Sequence, residues 1–178
     1  MDIFDQKEVL KTFSVCVDSR EQDTAKARRR YEGFNAPYGR ATIDYGDYTY
    51  NAVLPGGNAV YDAQKRISPA DSIERKESLD ELAHCLTRGR ERFEREFKRA
   101  MEHRAKMYLI CEGGSWEHIA AGKYRSKVNP TAFFNSLTAF MARYGICVLF
   151  CKAETSGRLI KELLYRELKE RLENGVYG

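Results

Sequence analysis

Residues 74–80 read Glu-Arg-Lys-Glu-Ser-Leu-Asp, and this stretch decides how the chain is built. It joins a β-strand to a helix. Ser78 followed three residues later by Glu81 is a capping box, so a helix begins at Leu79. The residues before it, 71–76, read as a strand. Alternate side chains of a strand point to opposite faces, so Glu74 and Lys76 share one face and Arg75 takes the other. A carboxylate beside an ammonium at a strand end suits a hard divalent cation held next to phosphate charge. Alone, Glu-x-Lys is a pattern that chance supplies in any charged protein. Its neighbours give it weight.

On the N-terminal side, Phe-Ser-Val-Cys-Val at 13–17 is a short buried strand that ends at Asp18. Residues 20–36 are polar and form a short helix or a loop. Residues 40–54 alternate apolar and polar types around Gly46, as in a hairpin or a pair of strands. Leu54-Pro55-Gly56-Gly57-Asn58 is a turn, and 59–62 reads as a further short strand. The long connection between Asp47 and Glu74 is expected to extend the sheet as a hairpin.

On the C-terminal side, the helix from Ser78 is expected to run to about Arg104, with Leu82, Leu86, Phe93, Phe97, Ala100 and Met101 as its apolar stripe. Met107–Cys111 is a buried strand ending at Glu112. Residues 115–128 read as irregular. Asn129-Pro130 opens a second helix that Gly145 ends. Residues 146–150 form another buried strand. A last leucine-rich helix is capped by Thr155 or Ser156 and stops at Gly175. The order of strands and helices predicts an α/β fold with a central mixed sheet flanked by helices, and a single domain over 1–178. No Gly-rich phosphate loop follows a strand, which excludes a nucleotide cofactor of the Rossmann or P-loop kind.

The chain has 178 residues, 43% of them hydrophobic and 31% charged, as expected of a globular protein with a polar surface. A net charge of +4 permits nucleic-acid binding without requiring it. No stretch approaches the roughly 20 apolar residues of a membrane span. The acidic start, Met1–Gln6, lacks an apolar leader core, so a cytoplasmic and not a secreted protein is expected. Five cysteines, an odd number, read as free thiols. Cys147 and Cys151 lack the further ligands of a zinc site. His84, His103 and His118 have no ligand spacing.

Three acid-bearing segments stand at strand ends: Asp18-Ser19-Arg20-Glu21, Gly46-Asp47-Tyr48 and Glu74-Arg75-Lys76, with Asp80 opening the helix. Together, as Val-Asp-x-Arg-Glu at 17–21, Gly-Asp-Tyr at 46–48 and Glu-Arg-Lys-x-x-x-Asp at 74–80, they resemble the nuclease domain of the XPF family of structure-specific DNA endonucleases. The strand ending Cys111-Glu112-Gly113, the entry Tyr144-Gly145-Ile146 and the segment Arg88–Phe93 extend the likeness to about residues 13–172.

The resemblance implies a restriction-endonuclease-like fold, a Mg²⁺ or Mn²⁺ site, and hydrolysis of DNA. Branched, flap or nicked DNA is the expected substrate, in repair, recombination or replication. It implies Asp47 and Glu74 as metal ligands, aided by the Arg75 backbone carbonyl, and Lys76 as the catalytic lysine. Asp18, Arg20, Glu21 and Asp80 are expected to complete the shell, with Asp18 reaching the metal, or to orient water or contact phosphate. The chain stops after the last nuclease-domain helix, without the paired helix-hairpin-helix motifs of cellular members. That suggests a stand-alone bacterial or bacteriophage form, and a homodimer is expected. Arg28, Arg29 and Arg30, together with Lys123, Arg125 and Lys127, are either surface charge or contacts to a DNA backbone, and Arg75 is a further candidate. A non-catalytic DNA-binding subunit and a sequence-specific restriction enzyme are the other readings. The first is disfavoured because the acids are intact.

Overall fold

The computed structural model describes residues 1–177. Its centre is one six-stranded mixed sheet in the order β2-β1-β3-β4-β5-β6. The strands are β1 (Ser14–Asp18), β2 (Tyr38–Ala41), β3 (Tyr48–Asn51), β4 (Asp71–Lys76), β5 (Lys106–Glu112) and β6 (Cys147–Cys151). β4, β5 and β6 run parallel, β2 runs parallel to β1, and β3 is antiparallel to both of its neighbours. On one face lie α1 (Ile3–Lys11), α2 (Ala25–Glu32) and α7 (Ala153–Glu173). On the other lie α3 (Leu79–Leu86), α4 (Arg90–Glu102), α5 (Trp116–Ala120) and α6 (Pro130–Tyr144).

Strand alternation divides the core. On β5, Tyr108 and Ile110 join Ile160, Leu164 and Leu168 of α7, whereas Met107, Leu109 and Cys111 join the phenylalanines of α4 and α6. Both faces are covered, so the strand reads as an unbroken apolar run. β4 sits beside β5 in register, with Glu74 opposite Leu109 and Arg75 opposite Ile110. Glu74 and Lys76 therefore face α3 and α4, and Arg75 faces α2 and α7.

The region 40–54 holds two strands but no hairpin. β2 and β3 lie on opposite sides of β1, because α2 carries the chain across as a parallel crossover. The connection 52–70 does not extend the sheet. It forms only isolated bridges, Val53 with Ala59 and Asp62 with Ile67, and 59–62 is not a strand. The helix expected from Ser78 to about Arg104 is broken at Thr87–Gly89. The Thr87 hydroxyl donates back to the Ala83 carbonyl, and the His84 carbonyl accepts the N–H groups of Thr87 and Gly89. The break lets Leu82, Leu86, Phe93 and Phe97 enter one core cluster, while Met101 turns outward.

Segment 115–128 contains α5, whose start is capped by the Ser115 hydroxyl accepting the His118 N–H. The last helix begins at Ala153, before Thr155 and Ser156, and Lys152 gives it no side-chain cap. α1, which the sequence pattern did not suggest, is capped by Asp2. Among the described residues no helix is long and apolar enough to cross a membrane.

α7 meets α2 at Gly157, where an added Cβ would stand 2.2 Å from the Arg30 carbonyl oxygen and 3.2 Å from the Gly33 backbone. Backbone cannot yield as a side chain tip does. Gly157→Ala should therefore destabilise the fold by about 1–3 kcal/mol, the usual cost of overpacking, after a helix-propensity gain of roughly 1 kcal/mol is overcome. Urea denaturation measures it, and an unchanged midpoint would show that the α2–α7 contact opens freely.

Candidate active site

Asp47 stands at the head of β3, placed there by Gly46. Gly46 has φ +77°, and a Cβ on it would lie 3.1 Å from the Ile73 carbonyl oxygen. The Asp47 N–H donates to the Ile73 carbonyl at 2.8 Å, and its carbonyl accepts the Asp18 N–H at 2.8 Å. Its Oδ2 accepts the Arg75 backbone N–H at 2.7 Å. One residue thus ties the ends of β1, β3 and β4 together.

Beside it on β4, Lys76 Nζ lies 2.5 Å from Glu74 Oε1 and 3.8 Å from Glu81 Oε1. It also sits 5.3 Å from the centre of the Phe93 ring, a cation–π contact. A cleft opens over these groups, lined also by Asp18, Arg20, Glu21 and, from α4, Glu96. Burial pushes the Glu74 carboxyl up to about 7; Lys76 opposes the shift and Glu96 adds to it. Burial, then Glu74 and Glu21, hold the Asp47 carboxyl well above the usual range. Burial works against the Lys76 charge, but Glu74 and Asp47 outweigh it, and the ammonium is held above its ordinary value. The site is an excess of carboxylates, buried at Glu74 and half-buried at Asp47 and Glu96, around the Lys76 ammonium, an arrangement that favours added positive charge.

A second charged system lies on the opposite face. Glu112, at the end of β5, accepts from Arg30 Nε at 3.2 Å and from Arg75 Nη1 at 3.3 Å. Arg30 also donates to the Tyr48 hydroxyl at 3.0 Å. That hydroxyl donates to Glu21 Oε2 at 3.4 Å, with Arg75 3.9 Å from the same oxygen. A buried carboxylate shared by two guanidinium groups keeps each charge partnered, and removing one partner would strand the others. Arg75 is thereby anchored below the sheet while its backbone N–H holds Asp47 at the strand ends.

The structure gathers Asp47, Glu74, Lys76, Arg20 and Glu21 at the cleft, and redirects four other expectations. Asp18 reaches the cleft, but both its oxygens are engaged by Arg20: Oδ1 by the backbone N–H at 3.2 Å, Oδ2 by Nε at 2.7 Å. It anchors Arg20, whose Nη2 also donates to the Ile43 carbonyl.

Asp80 is turned away from the cleft. It accepts the N–H groups of Arg125 and Ser126 at 2.7 and 2.6 Å and pairs with Arg125 Nε at 3.2 Å, so it fastens the 121–128 loop to α3. Arg28, Arg29 and Arg30 point three ways, as consecutive residues of a helix must. Arg28 is held by Asp23, Arg29 lines a depression between α2 and the start of α7, and Arg30 is buried on Glu112 at the floor of that depression. The Arg75 guanidinium is likewise committed beneath the sheet, whereas Lys123, Arg125 and Lys127 are exposed.

Glu96 is a contributor that no motif contains, whereas Glu81, Phe93, Tyr48 and Glu112 stand in quoted segments without an expected role at the site. Glu96 follows Phe93 by three on α4, and this spacing signals a shared face. Glu112 alternates with Tyr108 and Ile110, which signals an acid on the buried side.

A mixed sheet flanked by helices, with acids and a lysine at its strand ends, defines a restriction-endonuclease-like α/β domain. Residues 17–163 match the ERCC4 domain, and the chain belongs to that family, carrying an XPF-type nuclease domain. Among solved structures it is similar to XPF from Aeropyrum pernix, at 22% identity and TM-score 0.60 over 86% of this chain. It is also similar to XPF from Aeropyrum pernix in complex with DNA, at 23% identity and TM-score 0.59 over 88% of this chain. The chain spans 61% and 65% of those two chains. No curated protein matches it.

The raised Glu74 carboxyl has a consequence for stability. Its protonated form favours the folded state, so its contribution is complete below pH 4.5, its ordinary value, and is lost as pH rises through about 7. The cation-free protein should therefore lose melting temperature between pH 5 and pH 8. Glu74→Gln should flatten that slope by a few degrees. Differential scanning calorimetry in chelator measures it, and equal slopes for both proteins would remove the buried-carboxylate account.

Proposed function

We propose that this chain is a metal-dependent DNA endonuclease that hydrolyses phosphodiester bonds at the Asp47–Glu74–Lys76 cluster, with branched, flap or nicked DNA as its substrate. The observation that carries the reading is a buried glutamate and a half-buried aspartate whose charged forms are disfavoured, beside one buried lysine, at adjoining strand ends. The XPF relative solved with DNA supports DNA as the polymer.

The residues fit Mg²⁺ or Mn²⁺, which the family implies. Among the described residues no three His, Cys, Asp or Glu side chains form a complete cage. Asp47, Glu74 and the Arg75 carbonyl offer hard oxygen ligands, and Mg²⁺ is commonly held by one or two carboxylates, with water and substrate phosphate completing its shell. When bound there, the ion supplies Lewis-acid polarisation of the phosphate and lowers the pKa of an attached water.

The remaining work falls to the chain. Lys76, its charge supported by Glu74 and Asp47, places an ammonium against the negative charge that grows on the phosphate. Glu74 fixes its position, and the Phe93 ring bounds it on the other side. Arg20, held rigid by Asp18, offers a guanidinium to a flanking phosphate at the cleft rim. The intact acids favour a catalytic chain over a non-catalytic DNA-binding subunit.

Purified protein should cut flap, fork or four-way DNA in Mg²⁺ or Mn²⁺ and be silent in chelator. Asp47→Asn and Glu74→Gln should each lower the rate by at least about 10²-fold, the scale of losing a preorganised charge stabiliser. Lys76→Ala should do likewise, with less loss in Lys76→Arg. Gel-resolved cleavage of a panel with single-stranded, duplex and branched substrates is the measurement. Wild-type rates in Asp47→Asn would sink the assignment.

A further inference from the structure

The break between α3 and α4 leaves a charged feature that the catalytic cluster does not use. The catalytic cleft continues past Gly89 and Arg92 into a depression lined by Arg88 and Arg95. On its other flank it continues past His84 into a depression lined by Arg88, Arg125 and Lys127. These hollows share their walls, so one trough runs around the interruption and opens into the site.

Three observations separate the trough from an ordinary solvated helix face. First, the charge on α4 is ordered. Phe93, Phe97 and Ala100 are buried, Glu96 borders them on the cleft side, and Arg92, Arg95 and Arg99 follow beyond Glu96 at helical spacing. Second, Arg88, Arg92, Arg95 and Lys127 are exposed and make no salt bridge within 4.0 Å among the described residues, whereas Arg90, which also lines the hollow, is neutralised by Glu94. Third, the loop bearing Arg125 and Lys127 is fixed. Asp80 accepts two of its backbone N–H groups, so the basic wall is held against α3.

We infer that this trough seats the phosphate backbone of one DNA strand and leads it to the Asp47–Glu74–Lys76 cluster. The inference rests on the nuclease reading above. Exposed, unpaired guanidinium groups are suited to phosphates, which they bind through paired N–H donors. Arg92 belongs to both the cleft and the trough and so marks where the strand enters. Asp80, the acid that closes the 74–80 stretch, acts here as a positioning residue: it shapes the strand's path.

The test is DNA binding by fluorescence anisotropy across a salt series with Ca²⁺ in place of Mg²⁺, paired with cleavage in Mg²⁺. Arg88→Ala/Arg95→Ala should weaken binding about tenfold or more. It should also flatten the plot of log affinity against log salt by roughly 1.4–1.8, because two phosphates go unneutralised at about 0.7–0.9 each. Asp80→Asn should weaken binding less than this double variant and leave the Mg²⁺ dependence of cleavage unchanged. Lys7→Ala/Arg166→Ala, on the α1–α7 side, should change neither binding nor salt slope. A wild-type chain that binds and cuts DNA, with the Arg88→Ala/Arg95→Ala variant matching it in affinity and slope, overturns the trough alone. A wild-type chain that binds no DNA overturns both the trough and the nuclease reading.

Discussion

The position of Asp47 is the constraint on which the site depends. Its N–H and carboxylate are both spent on β4, at Ile73 and the backbone of Arg75, and its carbonyl on the end of β1 at Asp18. β3 and β4 pair in register at only one position, Tyr48 with Ile73, so the sheet ladder does little to fix their ends. Asp47 supplies what the ladder lacks. Gly46 is required for the same reason. The chain must turn with φ positive while passing close to the Ile73 carbonyl, and any side chain there is strained by conformation and by space. The acid that orders the strand ends is also one of the two that create the buried negative charge. Architecture and chemistry therefore cannot be varied independently at this residue.

The sheet also keeps two charge systems apart. Above it, Glu74, Asp47 and Glu96 outnumber Lys76. Below it, Arg30 and Arg75 share Glu112, with Glu21 and Tyr48 at the edge. Arg75 links the two, with its side chain below and its N–H on Asp47 above. Without Glu112 the guanidinium would be a buried charge with weak partners, and its backbone would lose the anchor that holds Asp47. In the lower system each charge has an opposite partner, which is consistent with a structural role. In the upper one, burial raises the Asp47 and Glu74 carboxyls, so added positive charge there is favoured.

Much of this was legible in the sequence because the decisive residues obey local rules. Strand parity alone puts Glu74 with Lys76 and Arg75 opposite, and Ser78 marks the start of α3. Sequence and structure part where a local pattern has two tertiary outcomes. Alternation over 40–54 is the same for a hairpin as for two strands flanking β1, and only the crossover through α2 decides between them. The apolar spacing from Leu82 to Phe97 survives the break at Thr87–Gly89, because both halves pack into one cluster. The run Arg28-Arg29-Arg30 looks uniform, yet about 100° of helical rotation per residue sends one arginine to solvent, one to a hollow and one into the core. Glu96 was hidden for the opposite reason. On a helix dense in charge, nothing local tells an acid that borders a cleft from one that faces water.

Asp80 shows how a motif residue can matter without touching the chemistry. It lies six residues after Glu74, but β4 has ended by then and α3 has begun, so strand parity no longer governs where it points. A residue in the first turn of a helix projects outward near the free N–H groups, and here the loop from Gly122 to Val128 comes to meet it. That loop carries Lys123, Arg125 and Lys127, and Asp80 joins the Tyr124 hydroxyl, which donates to the Val128 carbonyl, in holding its backbone. Asp80 neutralises Arg125 and leaves Lys127 free, so the loop keeps its shape and part of its charge. The 74–80 stretch thus spans two tasks. Its first three residues assemble a buried, acid-rich cluster on the end of a strand, and its last residue builds the wall beside that cluster.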